Sequence, residues 1–540
     1  MRCLKTQTRL LRFLTVSAVL LSVTCNPSHA SDPVYGGDIK VAINSDIRST
    51  NPGVKRDGNT DTVLYHVAEG LVAFNESLQP APMLAETVTE SEDGKRYDFT
   101  LRKGVKFHNG SEMTSADVLW SWERLLAPET GFRCLSDFNG NAPNGLKIEK
   151  IVANGPYSVS FYLNKASSLF LNRMSSFQCL AAILHPDSVD ENGAWVAPIG
   201  TGPYTLEKWV RGQYVSLSRF SDYSSRTDPE SGLTGEKKSY FDRIIFQIVP
   251  DRIAGKSSVY AGNIDLVYAL PLSAAKEVER RAEHQKDVKV YHQNTFDWTN
   301  LLIQTQDPLL SDVRMRRALA HAISQDMLST FTSFGYAPPN SSAVQSLSPY
   351  RALMPDVWPE YNPEKARALA AEAGYKGEVL TIQANRKYSY MFDNAVAIQA
   401  MLNAAGFNVK IDVFDWATQL TNFFKGDFQL SSFGYSARSH PALVYDNIIG
   451  HKDQRPSAQW DNPEAFTLLE KLESAKEGPE MLDVLTRLHV LMAEQVPVIG
   501  LYNDHVVDLS AADIEGYKPW PFGRPRLWGV WRSKEGEAQK

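Results

Sequence analysis

Val379-Leu380-Thr381-Ile382-Gln383-Ala384, Phe407 to Phe414 (FNVKIDVF) and Phe428 to Tyr435 (FQLSSFGY) are three short runs with strand character. Between them, Met391 to Ala405 and Trp416 to Phe424 carry the apolar spacing of amphipathic helices. The order is β-α-β-α-β, which implies a parallel sheet closed by right-handed crossovers. In such sheets ligands sit beyond the carboxyl ends of the strands, where loops turn back into helices. Those ends are Asn385, Asp415-Trp416 and Tyr435-Ser436-Ala437-Arg438. An indole, a phenol and a guanidinium at successive strand ends point to a binding crevice. For Trp416 alone, packing at the start of a helix is the competing reading.

Outward from this segment the pattern changes. Upstream, Asp312 to Leu328 reads as one helix, and Pro363 opens another that runs to Ala373 and stops at Gly374. The first half is α+β with antiparallel pairing. Gly37 to Ile43 reads as a strand followed by a polar loop through Asn51-Pro52-Gly53. Residues 97–107 (YDFTLRKGVKF) alternate around a Lys-Gly turn as a hairpin would. Ser115-Ala116-Asp117 caps a helix with Val118, Leu119, Trp122 and Leu125 on one stripe, and strands are expected at 157–163, 214–219, 243–249 and 287–292.

The N-terminus reads as an export signal. Arg2, Lys5, Arg9 and Arg12 precede an apolar stretch, Phe13 to Val23, which is too short for the roughly twenty residues of a membrane span. Ser28-His29-Ala30 supplies small residues where a signal peptidase needs them, so cleavage is expected between Ala30 and Ser31. A lipid anchor at Cys25 is the rival reading, and Thr24 before it is a poor fit. Removing the signal leaves Cys134 and Cys179, which in an oxidising compartment suggest one disulfide, with two unpaired thiols as the alternative.

Composition excludes several classes. At 540 residues, 43% hydrophobic and 22% charged, the chain has the balance of a multidomain globular protein. Without the four basic residues of the signal, 52 Lys and Arg face 62 Asp and Glu, a net charge of −10. A chain that acidic, with no basic run, is a poor ligand for nucleic acid. Catalytic motifs fail on inspection. Ala254-Gly255-Lys256-Ser257 lacks the first glycine of a phosphate loop, whose place is taken by Pro250. Gly200-Thr201-Gly202 lacks the third glycine of a dinucleotide fingerprint, and neither a zinc-protease helix motif nor a nucleophile elbow is present. No cofactor and no metal are expected.

Four segments carry a resemblance. They are Leu101 to Gly110 (LRKGVKFHNG), Thr114 to Val118 (TSADV), Gly200 to Tyr204 (GTGPY) and Asp312 to Ile323 (DVRMRRALAHAI). With them the chain resembles the extracytoplasmic solute-binding proteins of ABC importers, in the large peptide, opine and nickel class, over essentially its whole mature length. The resemblance implies an α/β fold with α+β parts: a two-lobed clamp around a hinge. Lobe I would be discontinuous, from residues 31–65, 196–295 and 501–540, with an extra subdomain at 66–195; lobe II would span 296–500. It also implies a periplasmic monomer that captures a small solute or peptide and passes it to permease subunits and their ATPase.

The ligand-binding candidates are Arg56 and Asp57 of the first lobe with Asn385, Trp416, Gly434, Tyr435, Ser436, Arg438 and His440 of the second. In the peptide-binding branch the loop after the third strand resembles Gly-Trp-x-x-Asp, whose aspartate pairs with a peptide's α-amino group. Here the run is Gly434-Tyr435-Ser436-Ala437-Arg438, with a cation in the anion's place. Arg438 either holds a ligand carboxylate or phosphate, or bridges to a local acid such as Asp446 or Asp453, or faces solvent. Peptide import is the leading expectation, an opine or other anion-bearing solute the second, and a secreted hydrolase the third.

Overall fold

The computed structural model describes residues 33–141 and 145–533. The expected cleavage site at Ala30 and Ser31, and Cys25, lie outside the described residues. No helix among the described residues is long and apolar enough to cross a membrane.

One sheet of ten strands organises the molecule. In chain order they are β1 (Asp38–Ile43), β2 (Tyr204–Val210), β3 (Tyr214–Arg219), β4 (Arg243–Ile248), β5 (Leu266–Val267), β6 (Val288–Ile303), β7 (Val379–Asn385), β8 (Asn408–Phe414), β9 (Leu430–Tyr435) and β10 (Val498–Ala511). Their spatial order is β8-β7-β9-β6-β10-β5-β1-β4-β3-β2. β7 pairs in parallel with both β8 and β9, as the alternation of strands and helices requires. The alternate residues Leu380, Ile382 and Ala384 are fully buried against Ile398 and Leu402 of the helix Ser389–Ala404. At the other end β1 pairs in parallel with β4 and β5, over a core of Ile39, Val41, Ile244 and Phe246.

The long antiparallel strands β6 and β10 belong to both ends. The later half of β6 pairs with β9, from Trp298 with Tyr435 to Ile303 with Leu430. The later half of β10 pairs with β5. Where β6 and β10 cross from one half to the other, their register slips between Asn294 and Trp298. Such an irregularity interrupts the ladder and bends it.

Residues in the first half also build a separate four-stranded sheet, in the order Ala85–Glu90, Arg96–Leu101, Ser158–Leu163, Ile148–Ala153. Its core of Phe99, Trp122, Phe138, Phe161 and Phe170 is buried, and a Cys134–Cys179 disulfide packs with that core. The unpaired-thiol alternative is thereby removed.

Three local expectations are corrected. Residues 97–107 do not form a hairpin: Arg96–Leu101 pairs with Ala85–Glu90 and Ser158–Leu163. The chain reverses instead around His108-Asn109-Gly110, where Phe107 N donates to Ser111 O at 2.9 Å and Gly110 has φ 88°. Alternation alone does not name a strand's partner. The next helix is capped by Thr114, which exchanges hydrogen bonds with Asp117 in a capping box, and not by Ser115. Asp312 to Leu328 is two helices, Val313–Ala322 and Gln325–Thr332, because Ser324 caps a new start by accepting from Met327 N.

The glycines of Gly200-Thr201-Gly202 have a packing reason. A Cβ on Gly200 would lie 2.3 Å from Val67 O, and one on Gly202 2.5 Å from His66 O. Ala254 to Ser257 lies inside the helix Arg252–Tyr260, with the Lys256 ammonium paired to Glu277.

Candidate ligand cleft

The carboxyl ends of β7, β8 and β9 open onto one edge, as parallel pairing requires. After β8, Asp415 accepts from Thr418 N at 3.0 Å and so starts the helix Trp416–Lys425. Trp416 is half-buried there, 5.7 Å from the Phe433 ring and edge-on to Tyr388 at 5.0 Å. An open cavity of about 630 Å³ lies beside it, lined by Arg386, Lys387, Val413 to Asp415, Trp416 and Ala417.

Two of the strand-end candidates turn inward. Asn385 is fully buried, and its amide donates to Gln419 at 2.7 Å while its oxygen accepts from Tyr388 N. Tyr435 is 9% exposed, stacks near Trp298 and donates its hydroxyl to Gln459 at 2.6 Å. Both support the loops and present little surface to a ligand. Gly434 makes room: a Cβ there would meet the Tyr390 hydroxyl at 2.5 Å. Ser436 is exposed.

Arg438 bonds to neither Asp446 nor Asp453. Its Nη1 donates to Gln178 Oε1 at 2.9 Å, and to the carbonyls of Ser436 (3.2 Å) and Ala437 (3.0 Å). Gln178 belongs to the subdomain of the first half, so this bond spans the two halves. Burial pulls the Arg438 guanidinium below its ordinary value; Asp137 and Asp446 oppose that, while Arg133 and Arg56 add to it. His440 caps the helix Pro441–Ile448 by accepting from Ala442 N, and burial pushes its imidazole down to about 4.

On the opposite wall, Arg56 pairs with Asp61, Nε to Oδ1 at 3.0 Å. Burial still lifts the Asp61 carboxyl to about 6 against that attraction. Asp57 caps the helix Gly58–Leu64, accepting from Thr60 N at 2.9 Å. Both sequence candidates are therefore engaged with their own wall.

Further contacts join the halves. Arg173 Nη2 donates to Glu473 Oε1 at 2.8 Å, Ser168 Oγ to Glu473 O at 2.8 Å, and Asn172 reaches Ser439 at 3.4 Å. Leu169 is buried in the apolar cluster of the second half, with Tyr445 and Leu472. The structure is a clamp with its walls in contact.

Sequence reading missed four polar groups at the floor of the cleft. Asp297 lies in the irregular stretch of β6 and Asp504 in β10, facing each other across the slipped register. Burial raises both carboxyls, and for Asp504 the charge of Asp297 adds to it, to about 7. Tyr390 stands over Gly434, and the Arg524 guanidinium lies against Gly58, 2.4 Å from where a Cβ would sit. Burial works against the Arg524 charge, and Tyr268, Asp297 and Asp61 outweigh it, raising its pKa. Asp297 among Thr295, Thr299 and Asn300, Asp504 between Asn503 and His505, and Arg524 two residues before Arg526 belong to no periodicity or motif that would reveal them.

Comparison with known proteins agrees with this geometry. Residues 79–455 match bacterial extracellular solute-binding proteins, family 5 (middle region). The chain is 25% identical to the oligopeptide-binding protein AppA of Bacillus subtilis, over 96% of this chain and 97% of that one. It is 26% identical to the glutathione-binding protein GsiB of Pectobacterium atrosepticum, over 75% and 73% of the two chains. Among solved structures, the periplasmic binding protein DppA of Helicobacter pylori in complex with the peptide STSA matches with a TM-score of 0.78, 23% identity and coverage of 93% and 99%. The binding protein AgaA in complex with agropinic acid, from A. tumefaciens R10, matches with a TM-score of 0.74, 22% identity and coverage of 92% and 99%. These likenesses establish the two-lobed clamp fold, and the match over most of its length shows that this chain belongs to the bacterial extracellular solute-binding proteins of family 5.

Proposed function

We propose that this protein is the extracytoplasmic solute-binding component of an ABC importer, that it captures a peptide, and that it delivers the peptide to permease subunits and their ATPase. The near-full-length relation to a protein named for oligopeptide binding supports the peptide class. The observation that carries the mechanism is the Arg438–Gln178 bond, which joins a strand-end loop of one half to the subdomain of the other. A ligand lying between those walls touches both only when they meet, and so stabilises the closed state. No covalent step is needed for this reading.

The lobes on this reading are residues 31–65, 196–295 and 501–540 with the subdomain 66–195, and residues 296–500, hinged where β6 and β10 cross. Residues 1–30 direct export to the periplasm, where the protein acts as a monomer. A second reading, an opine or other anion-bearing solute, is favoured by one observation: among the described residues Arg438 stands in the cleft wall hydrogen-bonded to neutral groups only.

Incubation with a mixed peptide pool, followed by native mass spectrometry, tests the function. Recovery of intact peptides with the protein supports binding. New fragments in the pool would point to hydrolysis, and no retention would remove the peptide class.

A further inference from the structure

β6 and β10 are the strands that pass between the halves, so any side chain they direct into the cleft faces a ligand wherever the lobes move. Asp297 and Asp504 occupy that place. Trp298 pairs with Asn503 and Asn294 with His505, which sets the two acids opposite each other inside the slipped register. Each has one protein donor: Ala437 N to Asp297 Oδ1 at 2.6 Å, and His505 N to Asp504 Oδ1 at 2.8 Å. Among the described residues neither is in an ion pair, and the second oxygen of each accepts no hydrogen bond. Two carboxylates side by side with no cation at bonding distance repel each other and lose water for little return.

The groups around them point the same way. The Tyr390 hydroxyl is close enough for Asp504 and Asp297 to act on it, and it has no hydrogen-bond partner among the described residues. Arg524 acts on Asp297 from the first-half side, yet donates through Nη1 to Gly523 O at 2.9 Å, while its Nε is sealed from solvent without an acceptor. Arg438 likewise acts on Asp297 but spends Nη1 on Gln178 and two carbonyls. A buried donor without an acceptor is costly, as are buried carboxylates with no cation bonded to them. One ligand carrying both an ammonium and an oxygen acceptor would relieve both.

We propose that Asp297 and Asp504 form the ammonium subsite of the cleft, with Tyr390 beside them, and that Arg524 Nε takes an oxygen of the same ligand. The substrate class is then a zwitterion with a cationic amine, such as a peptide with a free α-amino group. This rests on the reading of the cleft as a solute site. It moves the recognising anion from the loop at 434–438, where Arg438 stands, to the strands of the hinge.

The test uses the full mature chain and two tripeptide pools, one with free amino termini and one N-acetylated, read by native mass spectrometry. The parent should retain free-amino peptides and not their acetylated counterparts. Asp297→Asn and Asp504→Asn should each weaken retention by about tenfold or more, since each removes one partner of a desolvated charge contact. A second measurement does not depend on those variants folding. Calorimetry of the parent near pH 7, with the best-retained peptide in phosphate and in Tris, should show proton release as the ammonium displaces a proton from the pair. The other titratable or charged groups facing the pair are Tyr390, Tyr502, Arg438 and Arg524, with His505, His292 and Glu279 on the neighbouring part of the strands and the helix packed there. Equal retention of both pools, unchanged binding by both variants, or no proton release overturns the subsite while leaving solute binding intact. Retention of neither pool overturns the peptide reading and the subsite together.

Discussion

Arg173 and Glu473 are joined across the cleft by a 2.8 Å hydrogen bond between side chains 3% and 9% exposed. Arg173 also faces Asp137 at 3.4 Å and Asp446 at 3.7 Å, so one guanidinium balances three carboxylates from both halves. The links to Glu473 and Asp446 exist only with the walls together; apart, those carboxylates regain water. Removing the cation from a buried cluster costs about 3–5 kcal/mol, and here the cost falls on the closed state. Arg173→Met is therefore expected to enlarge the radius of gyration of the ligand-free protein in small-angle scattering, with little change in thermal stability. An unchanged radius would show that these charges do not hold the clamp.

Cys134 and Cys179 enclose a loop with a sequence separation of 45. The chain-entropy account gives such a crosslink about 4 kcal/mol. Cys179 follows Gln178, the partner of Arg438, and Asp137 lies beside the sulfurs. The bridge therefore steadies the wall that meets the second half as well as its own subdomain. Cys134→Ser with Cys179→Ser is expected to lower the first unfolding transition in calorimetry and to weaken ligand affinity. Loss of stability alone, with affinity unchanged, would confine the bridge to a structural role.

The Asp504 carboxyl makes stability depend on pH. Its ordinary value is about 4, and burial followed by the charge of Asp297 lifts it to about 7 in the fold. Between those values the folded state holds a proton that the unfolded state has released. Stability therefore falls as pH rises from about 4 to about 7 and is level above that. Partial solvent contact discounts the effect to on the order of 2 kcal/mol. Asp504→Asn should raise the melting temperature of the ligand-free protein at pH 8 and leave it nearly unchanged at pH 4. A variant no more stable than the parent at pH 8 would mean that the carboxylate carries no such strain.

The β/α segment was legible because its signals are local. Each strand runs for about seven residues between a helix stop and a cap, and Val379–Asn385 was read to within one residue. β6 was read only as 287–292, because its later half mixes Thr295, Asp297, Thr299 and Asn300 with apolar residues out of strict alternation, and its partners lie far away in the chain. Strand ends located the crevice, but the directions of the side chains follow from twist and packing. That is why Asn385 and Tyr435 lie at the expected edge yet point into the protein. The strand misread as the first arm of a hairpin at 97–107 pairs instead with the segment just upstream, Ala85–Glu90, and with the distant Ser158–Leu163. Asp297 and Asp504 become neighbours only through pairing between residues some two hundred positions apart.

Arg438 decides what sign of charge the loop at 434–438 accepts. Its bonds to Gln178, Ser436 O and Ala437 O leave its charge without a carboxylate at hydrogen-bonding distance among the described residues, while Asp137 and Asp446 act on it from further off. A planar guanidinium so placed suits a carboxylate or phosphate, which it can hold with two parallel bonds. Arg438→Ala is expected to cost a ligand with an anionic group about 2–5 kcal/mol, and also to loosen the contact between the walls. Arg438→Gln separates the two effects, because an amide can still bond to Gln178 while carrying no charge. Calorimetry on the co-purified solute should show Arg438→Gln losing affinity for an anionic ligand nearly as fully as Arg438→Ala. If Arg438→Gln binds like the parent, the residue serves only to join the walls, and the anion reading of the loop falls.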